Sequence, residues 1–143
     1  MKTDRLEPEF VDLIPTEVRE GVLYVSMEYA TTVHLCPSGC GNKVVLPLSP
    51  AEWRLTYDGE AITLSPSVGN WQYPCRSHYW VRGNQIITAK PWTERQIEQG
   101  RQRDERDLRE HLNRRASAES GTDDGATGTI GRWVRQVLGR WTS

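Results

Sequence analysis

The 143-residue chain has one phenylalanine, two methionines, three cysteines, three histidines and a net charge of only −1. It also lacks any apolar run near the roughly 18 residues that a membrane-spanning helix needs, so no such span is expected. The opening MKTDRLEPEF carries charges where a secretory signal requires an apolar stretch, which predicts a cytoplasmic protein. With so little net charge there is no global field to gather nucleic acid or an anionic membrane, and neither partner is expected. Three cysteines cannot all pair, and thiols in a reducing compartment stay free, so metal ligation or catalysis becomes their leading account. At 36% hydrophobic and 26% charged residues the chain is polar for a compact globule, so part of it should lie outside any core.

What is present reads as short strands. Residues 22–35 are rich in β-branched and aromatic types, and Leu23, Val25, Met27 and Tyr29 alternate with Tyr24, Ser26 and Glu28, predicting one or two strands that lead into Cys36. Beyond Gly41-Asn42, Val44-Val45-Leu46 forms another, and Pro47 and Pro50 exclude a helix there. Trp53, Leu55 and Tyr57 face Ile62 and Leu64 across Asp58-Gly59, a dipeptide suited to a tight hairpin. Tyr79-Trp80-Val81 and Gln85-Ile86-Ile87-Thr88 make a second hairpin around Gly83-Asn84. The expected fold is mainly β: a small domain centred on a zinc knuckle, with hairpins like those of rubredoxin or Rieske proteins, over residues 1–92.

After Trp92 the composition changes. Residues 93–119 are mostly Glu, Arg, Gln and Asp with few apolar groups, which predicts a solvated, charged helix with support from pairs such as Glu105 and Arg109. Residues 120–131 read as a flexible linker. Residues 132–143 read as a short amphipathic helix with Trp133, Val134, Val137, Leu138 and Trp141 on one face, suited to docking on a partner or on a second copy of the chain.

The chemistry concentrates in two short stretches. Cys36-Pro37-Ser38-Gly39-Cys40-Gly41 has the features of a metal knuckle, a tight turn that aims two thiolates at one ion, and Cys75-x2-His78 supplies a second pair. Together Cys36, Cys40, Cys75 and His78 make a complete tetrahedral set whose soft and borderline donors favour zinc. Two alternatives stand beside it. His34-x-Cys36 with Cys75-x2-His78 resembles a Rieske signature with its first half reversed, which would make the site an iron–sulfur redox centre. And if His34 takes the fourth position, the liberated His78 becomes the catalytic suspect.

The longer pattern is specific. His34-Leu35-Cys36-Pro37-Ser38-Gly39-Cys40-Gly41-Asn42, Leu46-Pro47-Leu48, Trp53, Leu64-Ser65-Pro66-Ser67-Val68-Gly69-Asn70-Trp71 and Pro74-Cys75-Arg76-Ser77-His78-Tyr79-Trp80 resemble an uncharacterised bacterial domain family. That family is encoded beside ubiquitin-like proteins and enzymes similar to ubiquitin-activating and ubiquitin-conjugating enzymes. The resemblance covers about residues 20–90. It implies an accessory role in handling a ubiquitin-like protein, and a peptidase that trims or deconjugates it is the most economical missing activity. For such an activity the chain offers Ser67, Ser77 and His34 as hydroxyls and base near the metal loops, since a serine peptidase needs a hydroxyl within hydrogen-bond reach of a base. No G-x-S-x-G motif is present; the other enzymatic route, a metal-dependent peptidase with an activated water on an open zinc position, lacks an H-E-x-x-H helix and is opposed by four protein ligands. The non-enzymatic alternative is a zinc-stabilised module that binds the ubiquitin-like protein or its conjugation enzymes.

Overall fold

A computed structural model describes residues 1–120. The expected linker beyond Ser120 and the tail helix of residues 132–143 lie outside the described residues. Among the described residues eight strands precede one helix: β1 (Glu7–Phe10), β2 (Val22–Ser26), β3 (Thr31–Leu35), β4 (Lys43–Pro47), β5 (Arg54–Tyr57), β6 (Ile62–Gly69), β7 (His78–Arg82), β8 (Gln85–Thr88) and α1 (Glu94–Glu119). They form two four-stranded sheets, ordered β1-β2-β3-β4 and β5-β6-β7-β8. All pairings are antiparallel except β1 with β2.

The expected hairpins form for local reasons. At the β5–β6 turn the Asp58 carboxylate accepts the N–H groups of Glu60 and Ala61 at 2.9 and 2.8 Å. At the β7–β8 turn Gly83 and Asn84 both have positive φ, 55° and 68°, as a two-residue hairpin of right-handed twist requires. Asn84 is buried there: its side-chain oxygen accepts the Ile62 N–H at 2.8 Å, and its carbonyl accepts the Leu6 N–H at 2.8 Å. The alternation expected through Tyr29 stops earlier. β2 ends at Ser26, whose hydroxyl accepts the Tyr29 N–H at 3.3 Å and starts a turn, and Met27 and Tyr29 are exposed.

Both sheets contribute to one core. Leu23, Val25, Val44 and Leu46 from the first sheet pack with Ile62, Leu64, Val68, Tyr79 and Val81 from the second, and Leu6 joins them. In a strand, alternate residues point to opposite faces. Burying Val68, Tyr79 and Val81 therefore turns Ser67, Gly69, His78, Trp80 and Arg82 to the outer face of the second sheet.

Residues 1–97 form one compact unit, and the described residues from Glu98 onward belong to a second. The helix begins with a reciprocal cap: the Thr93 hydroxyl accepts the Gln96 N–H at 3.2 Å, and the Gln96 side chain accepts the Thr93 N–H at 2.8 Å. The expected Glu105–Arg109 pair forms at 3.1 Å. No helix of the described residues is long and apolar enough to cross a membrane.

Candidate catalytic and metal site

The β3–β4 connection is the expected knuckle. Gly39 and Gly41 take φ of 85° and 84°, which side-chain-bearing residues rarely adopt, and the Cys36 N–H closes the loop on the Asn42 carbonyl at 2.9 Å. The second arm is the β6–β7 connection. There the Asn70 N–H donates to the Ser77 carbonyl at 2.8 Å, and the Tyr73 hydroxyl ties the loop to the Lys43 carbonyl at 2.6 Å. Loops from the two sheets thus meet and bring together the thiols of Cys36, Cys40 and Cys75, which lie within 4.8 Å of one another. Cys75 Sγ is 3.7 Å from each of the other two sulfurs. A tetrahedral zinc with zinc–sulfur bonds of about 2.3 Å would separate its sulfurs by about 3.8 Å, so the three thiols fit such an ion.

Their surroundings differ. Burial raises the Cys36 thiol, against hydrogen bonds from Ser38 and Ser77. The exposed Cys40 thiol is also raised by burial, but bonds from Ser38, the backbone and side chain of Asn42, and Cys36 outweigh this and hold it at about 6. The Asn42 side-chain amide donates to Cys40 Sγ at 3.3 Å, an N–H to sulfur bond of the kind that supports a bound metal.

His78, the expected fourth ligand, is not in this group. Its Nε2 is 2.9 Å from Ser67 Oγ and its Nδ1 is 2.5 Å from the Lys90 carbonyl, so both ring nitrogens are engaged elsewhere. The reason is strand periodicity. β7 begins at His78, and Ser77, one residue earlier, takes the opposite side. The Ser77 hydroxyl lies 3.2 Å from Cys36 Sγ and 3.6 Å from Cys75 Sγ, and accepts the Asn70 side-chain N–H at 2.9 Å. Ser77 therefore belongs to the thiol cluster and not to Ser67.

His34 stands apart from both. It is fully buried, with Nε2 2.6 Å from the Tyr79 hydroxyl and Nδ1 without a partner among the described residues. Burial pushes its pKa down to about 3 and keeps the ring neutral. Tyr79 also receives the Asn70 side-chain N–H at 3.4 Å, so His34 sits at the end of a buried polar chain that starts at the cysteines.

Ser67 occupies an irregular stretch of β6. Leu64 pairs with Val81 and Val68 with Tyr79, so three residues, Ser65, Pro66 and Ser67, oppose Trp80 alone. Bulges of this kind re-aim side chains, and they recur beside active sites. The segment leaving β8 fixes His78 from the other side. The Ala89 N–H donates to the His78 carbonyl at 2.8 Å, and the Lys90 carbonyl holds Nδ1. Trp92 packs edge-on against the imidazole at 5.2 Å between ring centres, and Trp71 approaches it at 4.9 Å. The two indoles stack on each other at 5.7 Å. Trp71 can lie there only because Gly69 has no side chain: a Cβ would come within 2.6 Å of the indole Cε2. Sequence reasoning missed Lys90, Trp71 and Trp92 as parts of this site. One signal was available, since alternation about Val68 and Tyr79 puts Ser67 and His78 on a shared face.

Fold and site together define a two-sheet β protein that pairs a serine with an oriented histidine beside a three-thiol cluster. The family model for the bacterial ubiquitination-like system serine protease, BubE, matches residues 10–89, and the chain belongs to that family. The matched stretch holds Ser67, His78 and all three cysteines, in agreement with the resemblance read from the motifs. No curated protein and no solved structure matches the chain.

Proposed function

We propose that this chain is a serine peptidase that processes or deconjugates a ubiquitin-like protein, with Ser67 as nucleophile and His78 as general base. The observation that carries the reading is the relay from Ser67 Oγ to His78 Nε2 at 2.9 Å and from Nδ1 to the Lys90 carbonyl at 2.5 Å. A carbonyl can only accept, so Nδ1 carries the proton and Nε2 presents its lone pair to the serine hydroxyl. Ser67 Oγ attacks the scissile carbonyl while Nε2 takes its proton. The imidazolium then returns that proton to the departing amine, leaving an acyl-serine. Water, deprotonated in turn by Nε2, hydrolyses the ester and restores Ser67. The backbone carbonyl of Lys90 does the orienting that a carboxylate performs in the familiar triad.

Cys36, Cys40 and Cys75 supply three of the four ligands of a zinc ion in this reading, supported by their sulfur spacing and by the N–H donor from Asn42. The zinc would brace the two loops against each other. The ubiquitin-like substrate is supported by the family's ubiquitination-like system. The test is to incubate the purified protein with a ubiquitin-like protein of a bacterial ubiquitination-like system and weigh the products. A truncated or released product that is lost in Ser67→Ala supports the peptidase. Stable binding without any cleavage would instead make the chain a zinc-stabilised binding module.

A further inference from the structure

The outer face of the second sheet continues past the dyad. On β7, His78 is followed on the same face by Trp80 and Arg82. Trp80 stands opposite the bulge that carries Ser67, and its register partner on β8 is Ile87. Trp80 is half-buried and Ile87 is 41% exposed, so an apolar pair on this face is open to solvent. The Arg82 guanidinium lies over the Trp80 ring at 4.6 Å, which confirms that both side chains share this face and leaves the arginine's edge free to meet an anion. On β5, Arg54 pairs with Ser65, placing a second exposed arginine across the bulge. The outward positions of the four strands are Arg54 and Thr56, Thr63, Ser65, Ser67 and Gly69, His78, Trp80 and Arg82, Gln85 and Ile87. No carboxylate stands among them.

We propose that this face, from Ser67 across Trp80 to Ile87, is the track for an extended stretch of the substrate flanking the scissile bond. Trp80 and Ile87 form its apolar floor, and Arg82 and Arg54 meet a carboxylate of that stretch. The inference rests on the peptidase reading, since the occupant is identified by continuity with the nucleophile: a chain whose carbonyl reaches Ser67 must run over the residues beside the bulge. Charge complementarity supplies the second argument, because two arginines on a face whose outward strand positions carry no carboxylate favour an anionic peptide. A partly exposed tryptophan beneath a stacked arginine is also the type of group that dominates peptide binding energy.

The experiment separates the track from the dyad by using two substrates. One is 4-nitrophenyl acetate, which is too small to reach the track. The other is a quenched-fluorescent decapeptide spanning the bond that mass spectrometry identifies in the ubiquitin-like protein. Trp80→Ala and Ile87→Ser should raise KM for the decapeptide by roughly tenfold, with kcat and acetate hydrolysis within about twofold of the parent. Arg82→Gln should raise KM less and should remove most of its dependence on salt. Ile87 is exposed, so its variant tests the track even if Trp80→Ala folds poorly. Unchanged KM in Ile87→Ser and Arg82→Gln, with the decapeptide still cut in a Ser67-dependent manner, overturns the track and leaves the peptidase standing. Failure to cut either substrate overturns the peptidase reading first, and the track with it.

Discussion

Where the chain enters β7, two neighbouring residues serve different clusters. Ser77 turns its hydroxyl toward the sulfurs of Cys36 and Cys75, while His78 turns its ring toward Ser67 and the Lys90 carbonyl. The thiol cluster is made from loops of both sheets, so what it fixes is the relation between them. The hydroxyl–imidazole pair is made from adjacent strands of one sheet and the segment leaving it. Its geometry is therefore set by ladder register and by a bulge. The first cluster should therefore govern folding and the second only chemistry, although they meet at adjacent residues in sequence.

The largest test removes the zinc proposed for the three thiols. Apparent binding energies of structural zinc are about 10–16 kcal/mol and are coupled to folding, so chelation or Cys75→Ser should unfold the domain. Circular dichroism melting with and without chelator checks this, together with elemental analysis of the purified protein. A stable, fully folded, metal-free protein would place the thiols outside any metal role. A visible chromophore would replace zinc with an iron–sulfur centre.

Next in size is His78→Gln, which strikes directly at the division between the clusters. As a general base His78 should contribute about a hundred- to ten-thousandfold in rate. The variant should lose that much activity while keeping its full metal content, because the ring nitrogens face Ser67 and Lys90 and not the sulfurs. If instead the metal is lost, His78 is a ligand and the pair with Ser67 is secondary.

Gly69→Ala probes the wall beside the dyad. The new methyl would collide with the Trp71 indole, which must then leave its place against His78. Overpacking of this kind costs about 1–3 kcal/mol, which lowers the melting temperature of a domain this size by several degrees. Activity should fall further than stability alone accounts for. Trp71→Phe in the Gly69→Ala background should recover part of both, which calorimetry and a rate assay on the same samples would show.

Much of this organisation was legible in the sequence. Asp58-Gly59 and Gly83-Asn84 announce their hairpins through turn chemistry, and Cys36-Pro37-Ser38-Gly39-Cys40-Gly41 announces its knuckle through glycines that must take positive φ. These are local signals. The assignment of His78 beside Cys75 depended on where β7 begins, since shifting the strand by one residue moves the ring to the opposite face. Lys90 acts through its backbone carbonyl, which no side-chain motif reveals. The partner of Ser67 depended on a bulge that places three residues opposite one, a tertiary feature that Ser65-Pro66-Ser67 does not encode by spacing. β1, short and paired in parallel with β2, had no periodic pattern to mark it.

The smallest expected effect lies at the edge of the catalytic side. Arg76, whose guanidinium is 5.9 Å from the Trp71 ring centre, pairs with Glu94 at 2.7 Å. This pair joins the β6–β7 loop to the start of α1, two residues after Trp92. Both side chains are well exposed, 44% and 82%, so water and salt screen the attraction, and such pairs contribute about 0.2–1 kcal/mol. Glu94→Gln should therefore lower the melting temperature by only a few degrees at low salt, and by less as salt is added. The hydrogen bond from Nδ1 to the Lys90 carbonyl and the indole contacts remain in place, so kcat/KM should stay within about twofold of the parent. A tenfold fall in kcat/KM without a matching fall in stability would show that the ion pair holds the 89–92 segment against His78, and that the catalytic geometry depends on the helix entry as well as on the sheet.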